Sequence, residues 1–337
     1  MLLSQIYDLT KTNRKKSLKK MIYHGLILLI MDLLSPRILK REIEYFIRSL
    51  LGESVIQNAN GLKMLLVLKE GGIHRDLFVF GKREPIVVDY LLKSKILKGG
   101  DCVLDIGSNI GYYVLFLSKL VGEKGKVYAI EPVSKHVQYL KRNLELNCIK
   151  NVKIFHLAIG EKCTCAEIFI AASSNWSSLK RSEQCLYVSK EKIEIVTMDD
   201  FLSKTGSLPN LIRMDVEGYE LNIIKGMKET LKNANDITLL IEFHGHLMTR
   251  NQIEELIDIL KRNSFRIIFC SPDRKIVFNN KIVDFLDRKF FSLIENQTYA
   301  RIDMDYLKKL LLDGFCLQVA FTKVKLPEEE SSKRSKL

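Results

Sequence analysis

Short apolar runs alternate with polar, helix-forming stretches from residue 102 onward. The apolar runs predict strands at residues 102–106, 126–130, 152–157, 211–214, 237–241, 265–269 and 315–322. The stretches between them predict helices at residues 112–120, 134–146, 219–231 and 251–262. Strands with continuous apolar runs that alternate with helices are typical of a doubly wound, mostly parallel sheet. We therefore predict an α/β fold around a seven-stranded sheet of this kind, with a side hairpin of Glu167–Ile170 and Ile193–Val196.

The first hundred residues have a different pattern. Residues 1–50 have helical periodicity, which is clearest over Arg37–Leu51. Three short β-like runs follow, separated by glycine-containing turns, and predict a small antiparallel element. These runs lie at Val55-Ile56, Met64–Leu68 and Leu77–Phe80.

A proline and a pair of glycines mark where the main domain begins. Pro85 starts a predicted helix that ends before Gly99-Gly100. We predict an N-terminal accessory segment over residues 1–84 and a main domain over residues 85–325. The charged residues 326–337 predict a disordered tail.

Much of the positive charge lies near the N-terminus. The chain has 337 residues and a formal net charge of +13, and six Lys or Arg residues fall within Lys11–Lys20. The apolar stretch Met21–Leu34 follows, but it is shorter than the roughly 20 residues that a membrane-spanning helix needs. Two interpretations stay open. The stretch forms a buried helix packed on the main domain, or residues 11–34 make a peripheral contact with an anionic membrane.

The cysteines favour a reducing compartment. There are seven of them, with no Cys-x-x-Cys pair. Cys163 and Cys165 lack the second pair that a zinc site needs. We expect reduced cysteines, no bound metal, and a cytoplasmic protein that is at most peripheral at the inner membrane surface.

The first predicted strand runs into a glycine-containing loop. Asp105 lies near its end, and Gly107, Ser108, Asn109 and Gly111 form the loop, before a helix that opens at Tyr112. Glycines let the backbone turn sharply and approach a ligand closely. A helix N-terminus offers free N–H groups and a positive end to a carboxylate, such as that of S-adenosylmethionine (SAM).

An acidic residue follows the second strand and a small one follows the third. Glu131 lies 20 residues after Gly111, where a carboxylate can accept hydrogen bonds from both ribose hydroxyls of a nucleoside. Asn109 replaces the glycine that a dinucleotide loop needs, which argues against NAD. Ala158 is expected in the adenine pocket, with Leu157 and Ile159 beside it.

Carboxylates and histidines cluster after the fourth and fifth strands. Asp215 and Glu217 follow the fourth strand, where the donor methyl group is expected, so both are candidates for the cofactor site. Asp215 is also the first candidate for orienting the acceptor or taking its proton. Glu242 and His244 end the fifth strand, share a face, and are further catalytic candidates.

These motifs together resemble the FkbM family of methyltransferases. The matching stretches span about residues 85–245: Val103–Tyr113, Glu131-Pro132, Met198–Leu202, Met214–Glu220 and Leu240–Glu242. The resemblance implies a class I, Rossmann-like fold, SAM as cofactor, and mostly O-methylation of hydroxyls. It also implies a polar loop near the site at Asn175–Ser178. The chain departs from the common pattern at Ser108, where alanine is usual, and at Arg213, where lysine is frequent.

The acceptor is open at this stage. O-methylation of a small molecule, a sugar or glycan, or a lipid-type acceptor is expected, by in-line transfer that needs alignment and a base but no metal. A nucleic-acid methyltransferase is the first alternative, but the chain has neither Pro-Pro nor Pro-Cys. A SAM-binding module without turnover is the second. The oligomeric state is also undetermined.

Overall fold

The computed structural model describes residues 36–171, 177, 179, 187–233, 236–272 and 302–323. The predicted membrane contact at residues 11–34 and the tail at 326–337 therefore lie outside the described residues, as does most of the predicted polar loop at Asn175–Ser178. Among the described residues, no helix is both long enough and apolar enough to cross a bilayer.

Five elements precede the main sheet. They are α1 (Pro36–Leu50), β1 (Ser54–Ala59), β2 (Leu62–Val67), α2 (Gly72–Phe80) and α3 (Pro85–Lys93). The turn between β1 and β2 has positive φ at both Asn60 (51°) and Gly61 (78°). That backbone matches the twist of an antiparallel hairpin, which is why an Asn-Gly pair is favoured there.

The central sheet and its helices follow the predicted alternation. Its strands are β3 (Cys102–Ile106), β4 (Lys126–Ile130), β5 (Val152–Phe155), β9 (Leu211–Met214), β10 (Thr238–His244), β11 (Arg266–Pro272) and β12 (Cys316–Thr322). The helices are α4 (Tyr112–Val121), α5 (Ser134–Leu146), α6 (Met198–Thr205), α7 (Glu220–Lys225), α8 (Lys228–Asn233), α9 (Arg250–Arg262) and α10 (Met304–Leu312).

The strand order of this sheet is β11-β12-β10-β9-β3-β4-β5. Strand β12 is antiparallel to both of its neighbours, whereas the pairs from β10 to β5 are parallel. The chain first winds from β3 outward to β5 and then crosses to β9 and β10. The order reverses between β3 and β9, so ligands are expected at the carboxyl ends of these two strands.

A smaller, three-stranded sheet follows β5 in the chain. It consists of β6 (Ala158-Ile159), β7 (Thr164–Ala171) and β8 (Tyr187–Val196), in the order β6-β8-β7. Strands β7 and β8 pair antiparallel, which confirms the predicted side hairpin. Its buried face joins Ile168, Ile193 and Ile195 to Val133 and Ala158.

The N-terminal elements share an apolar core with the sheet. Leu66 and Leu77 pack in one cluster with Leu115 and Leu140 of the main domain. The outer edge of β2 is capped by α5, because the Asn143 and Asn147 side chains accept the Leu65 and Lys63 N–H groups at 2.7 and 2.9 Å. These side chains satisfy backbone N–H groups on a strand edge that could otherwise pair with a strand of another chain.

Two predicted elements were wrong. The β-like run at Leu77–Phe80 is the end of α2, where Leu77 and Phe78 are buried against the core. A short apolar run cannot distinguish a buried helix from a strand, and tertiary burial decides. The single helix predicted over Tyr219–Leu231 is divided at Gly226 into α7 and α8. Only glycine fits at this break, since a Cβ there would lie 2.0 Å from the Gly160 carbonyl oxygen.

Candidate active site at the carboxyl ends of the central strands

A cleft opens at the carboxyl ends of β3, β4 and β9, where the strand order reverses. Its empty space is about 920 Å³ when the open solvent at its mouth is counted. Eight of the residues predicted for the cofactor line it: Gly107, Ser108, Asn109, Tyr112, Glu131, Ala158, Asp215 and Glu217. The candidates Asp105, Gly111, Glu242 and His244 are not among its lining residues.

Gly107 lies where the backbone at the end of β3 meets the backbone at the end of β9. Its φ is +79°, and a Cβ atom there would lie 1.9 Å from the Asp215 carbonyl oxygen. The Asp215 N–H donates to the Ile106 carbonyl at 3.0 Å, so the ends of β3 and β9 are in direct contact. This backbone approach requires glycine at position 107, which also lines the cleft.

Gly111 sets the position of α4 in a similar way. It has a φ of +91° and precedes the helix, and a Cβ atom there would lie 2.3 Å from Leu140 Cδ1 of α5. The glycine therefore allows close packing of α4 against α5, behind the cleft lining.

The N–H groups of the loop are already occupied within the protein. Gly107 and Ser108 both donate to the Ile130 carbonyl at 3.0 Å, and Gly111 donates to Ser108 at 2.9 Å. Asn109 donates to Glu131, and Ile110 to the Asn109 side chain. An N–H group that donates to a bound ligand carboxylate would therefore come from the first turn of α4.

Glu131 organises the cofactor side of the cleft. Its carboxylate accepts the Asn109 N–H at 2.7 Å and the Val133 N–H at 2.9 Å, and the His136 Nδ1 lies 3.2 Å away. It is only 3% exposed, yet it lines the cleft. Because a carboxylate has about four acceptor positions, Glu131 can hold the loop and still accept hydroxyl protons from a ribose.

Apolar side chains continue the cleft beyond Glu131. Ile130, Ala158, Ile159 and Ile168 line it and are buried. This surface suits a flat, largely apolar ring such as adenine, and the adenine contacts of Ala158 and Ile159 stay a prediction.

The opposite side of the cleft rests on a buried arginine. Arg213, which is 3% exposed, donates to Asp105 Oδ1 and to Asp215 Oδ2, each at 3.1 Å, and lies 3.9 Å from Glu242 Oε2. Its guanidinium also stacks 3.8 Å from the ring centre of Tyr113. Burial raises the pKa of Asp105 above its usual 3.8, although Arg213 opposes that shift. Arg213 thus fixes Asp215 at the cleft wall while it compensates two buried carboxylates.

A second buried arginine ties the N-terminal segment to this network. Arg83 Nε donates to Glu84 Oε1 at 2.6 Å, and Glu84 Oε2 accepts from Tyr113 at 2.6 Å. Gln318 of β12 uses its amide protons for Glu84 and Glu242, at 3.1 and 2.6 Å. Residues as far apart as 84 and 318 therefore meet beneath the cleft.

Tyr112 makes the corresponding link on the cofactor side. Its hydroxyl donates to the Arg83 carbonyl at 2.7 Å and accepts from the Arg83 N–H and from Asn60 Nδ2. Burial raises the pKa of Tyr112 to about 12, so the hydroxyl remains protonated and able to donate.

His244 lies behind Glu217, among carboxylates. Its Nδ1 is 3.0 Å from Glu220 Oε1, and its Nε2 is 3.4 Å from Glu217 and 3.6 Å from Glu242. Burial alone lowers the pKa of His244. The three carboxylates outweigh burial, so this pKa lies well above its ordinary 6.5. The surrounding carboxylates therefore favour the charged imidazolium form of His244. Asp215, Glu217 and His244 each bring a potential metal-ligand atom within 4.8 Å of the others, but the imidazolium must first lose a proton.

Several residues of the site had no signal in the sequence. Arg83, Glu84 and Gln318 lie outside the motifs, and their types are ordinary for a surface. Only their burial, at 5%, 2% and 1% exposure, identifies them. Arg213 could be noticed because it stands two residues before Asp215, although its pairing with Asp105 could not.

Strand order and site together define the class of protein. A seven-stranded sheet with antiparallel β12 between β10 and β11, and with Glu131 at the end of β4, is the class I arrangement that uses SAM as cofactor. Residues 105–267 match a family model described as a methyltransferase FkbM domain. Residues 105–267 therefore form a methyltransferase domain of the FkbM family.

Individual proteins resemble parts of the chain. It is 23% identical over 146 residues to Methyltransferase 1 of Beauveria bassiana, a match covering 38% of this chain and 58% of that protein. It is 30% identical over 159 residues to a probable cobalt-precorrin-6B C(15)-methyltransferase (decarboxylating) of Sulfolobus acidocaldarius, covering 43% and 79%. The chain thus spans less than two thirds of the fungal relative. A solved FkbM methyltransferase from Methylobacillus flagellatus is 20% identical, with coverage of 50% and 40% and a TM-score of 0.36.

Proposed function

We propose that the protein transfers the methyl group of SAM to a hydroxyl of a small-molecule, sugar or glycan, or lipid-type acceptor. The observation that carries the proposal is the division of one cleft into two chemically different walls. Glu131 and the apolar residues form one wall, and Asp215 and Glu217 form the other. Family membership supports methyl transfer, and the acidic wall supports a hydroxyl as the acceptor.

The residues of the first wall fit the cofactor. Glu131 offers acceptor positions for ribose hydroxyls, and Ala158, Ile159 and Ile168 offer an apolar surface for adenine. On the other wall, the carboxylates of Asp215 and Glu217 face the same cleft and suit the cationic sulfonium and ammonium groups of SAM. When bound, SAM supplies a methyl group that is already activated for transfer.

The second wall supplies the base that removes the proton of the acceptor hydroxyl. A hydroxyl must lose its proton as it attacks, so a base is needed at the cleft surface. Asp215 lines the cleft with its side chain 18% exposed and held by Arg213, and we assign it the role of orienting the acceptor and taking its proton. His244 and Glu242 lie behind the lining, and we assign them positioning roles. His244 offsets the negative charge of Glu217, and Glu242 offsets the positive charge of Arg213.

Binding of the cofactor is tested by calorimetric titration of SAM into the wild type and a Glu131→Gln variant. Glutamine can still accept the Asn109 or Val133 N–H but offers fewer acceptor positions to a ribose. We expect the dissociation constant to rise about tenfold or more, equivalent to about 1.4 kcal/mol. Glu194→Gln, which changes an exposed residue of β8, is the matched control and should leave affinity unchanged. No binding by a folded wild type would overturn the proposal.

Methyl transfer is tested by following labelled methyl from SAM into fractionated cell extracts. Asp215→Asn, which can still accept from Arg213, should weaken SAM binding less than about tenfold and lose about 10²-fold or more in turnover. Tight SAM binding without transfer to any fraction would point to a binding module. Label that becomes soluble after nuclease treatment would point to nucleic acid instead of a hydroxyl-bearing small molecule, glycan or lipid.

A further inference from the structure

Helix α1 has two faces with different environments. Its inner face is fixed to the body of the protein. The Tyr45 hydroxyl donates to the Leu68 carbonyl at 2.9 Å, and the Arg41 guanidinium lies 4.0 Å from the ring centre of Phe78 in α2. The helix is therefore held in place by these contacts, and its other face is presented in a defined orientation.

The other face is an exposed apolar surface, which we call the outer stripe. It consists of Leu39, Ile43, Phe46, Ile47, Leu50 and Leu51, with exposed fractions from 39% to 74%. Positions 39, 43, 46, 47 and 50 follow the helical repeat, so the side chains form one continuous strip. Six of the eleven large exposed apolar side chains among the described residues lie in these thirteen positions. A concentration of this kind marks a binding surface rather than chance exposure.

The charges around the outer stripe are positive. The exposed polar residues of α1 are Arg37 and Lys40. Its two carboxylates are partly buried and neutralised, since Glu42 pairs with Arg75 and Glu44 pairs with Arg48. A solvent face with exposed apolar residues and cations, whose two carboxylates are each paired with an arginine, matches an anionic lipid surface.

The sequence before α1 has the same composition. Lys11–Lys20 contains six cations, and the apolar residues Met21–Leu34 lead to Pro36, where α1 begins. Each cation near an anionic bilayer contributes about 1 kcal/mol, and buried apolar side chains add to that. We propose that the outer stripe of α1 docks on an anionic lipid bilayer, with the helix lying in the plane of the interface. This inference goes beyond methyl transfer and does not depend on it.

The test is flotation of the full-length protein with vesicles of phosphatidylcholine alone or mixed with phosphatidylserine. We expect the wild type to float with the mixed vesicles at least about tenfold better than with the neutral ones, and less at high salt. The double variant Phe46→Glu/Leu50→Glu should lose about tenfold or more of this binding. The control Leu92→Glu/Leu208→Glu changes two leucines of similar exposure elsewhere, 57% and 63%, and should float like the wild type.

Melting temperature and light scattering distinguish membrane docking from unfolding of the variants, from dimer formation and from coverage of the outer stripe by Met21–Leu34. Both double variants should melt within a few degrees of the wild type, so that lost flotation reports the surface and not unfolding. Wild-type flotation by Phe46→Glu/Leu50→Glu would overturn the proposal, because residues before α1 would then bind alone. A wild type that fails to float also overturns it. In that case, a dimer that the variant converts to a monomer assigns the outer stripe to a second copy. A monomer destabilised only by that variant assigns it to Met21–Leu34 folding back.

Discussion

The two walls of the cleft are built from different kinds of interaction. We call the wall of Glu131 and the apolar residues the cofactor wall, and that of Asp215 and Glu217 the acceptor wall, after their proposed roles. On the cofactor wall, the loop after β3 is held by hydrogen bonds to the end of the adjacent β4, through the Ile130 carbonyl and the Glu131 carboxylate. On the acceptor wall, Arg213 holds Asp215 through a buried charge network that extends to residues 84 and 318. The first wall depends on a motif and its neighbour strand, whereas the second depends on the whole sheet. The two should therefore respond differently to substitution.

The largest effect is expected where the walls meet. Gly107→Ala should lower the free energy of unfolding by about 4–5 kcal/mol, because the new Cβ meets the Asp215 carbonyl oxygen at 1.9 Å in a left-handed backbone. Gly206→Ala is the control, since its φ is +65° and open space surrounds it, and it should cost about 1–2 kcal/mol. Urea unfolding measures both. Equal losses would show that backbone conformation alone matters at Gly107, and not contact between the walls.

A somewhat smaller loss is expected on the acceptor wall. Arg213→Met should cost about 3 kcal/mol, because it leaves the fully buried Asp105 without its cation. Lys190→Met breaks an exposed pair with Glu167 and should cost less than about 1 kcal/mol. Adding Asp105→Asn to Arg213→Met should recover part of the loss. Without that recovery, packing of the arginine on Tyr113 would be the main contribution.

The pH dependence that His244 gives to stability sharpens the comparison, because His244 contacts the acceptor wall and not the cofactor wall. The folded pKa of His244 lies above its ordinary value of 6.5. Its stabilising contribution is therefore fully present below about pH 6.5 and is lost as pH rises through the folded pKa. His244→Gln should remove this decline, worth about 1.4 kcal/mol per unit of pKa shift. Denaturant unfolding at several pH values checks it, with the exposed His156→Gln as control. An unchanged slope in His244→Gln would contradict an imidazolium at this position.

The smallest effect is expected on the cofactor wall. Tyr112→Phe removes a hydroxyl that serves Asn60 and both backbone groups of Arg83, and should cost about 1–2 kcal/mol. Tyr306→Phe, on a residue that is 38% exposed, should leave stability unchanged. Thermal melting compares the two. A cost for Tyr112→Phe as large as that for Arg213→Met would remove the distinction between the walls.

The predictions from sequence were most accurate where the determinants are local. The loop from Gly107 to Gly111, Glu131 and the acidic turn at Asp215 could be located because their residue types and spacing are set by short connections. The helix at Leu77–Phe80 was missed because its apolar run has no period of its own. Asp105 was predicted to bind the cofactor and Glu242 to act in catalysis. Both carboxylates lie against Arg213 rather than in the cleft lining, and nothing in the sequence indicated that pairing.

By itself, the sequence determined the doubly wound fold, the SAM family and the strand ends that form the cleft. Apolar periodicity and glycine-containing turns encode these features over a few residues at a time. Only the tertiary structure decided that Arg83, Glu84 and Gln318 meet beneath the acceptor wall, and that the outer face of α1 stays uncovered by the described residues. A buried charge must find its partner wherever the fold brings one, and sequence separation carries no information about that distance.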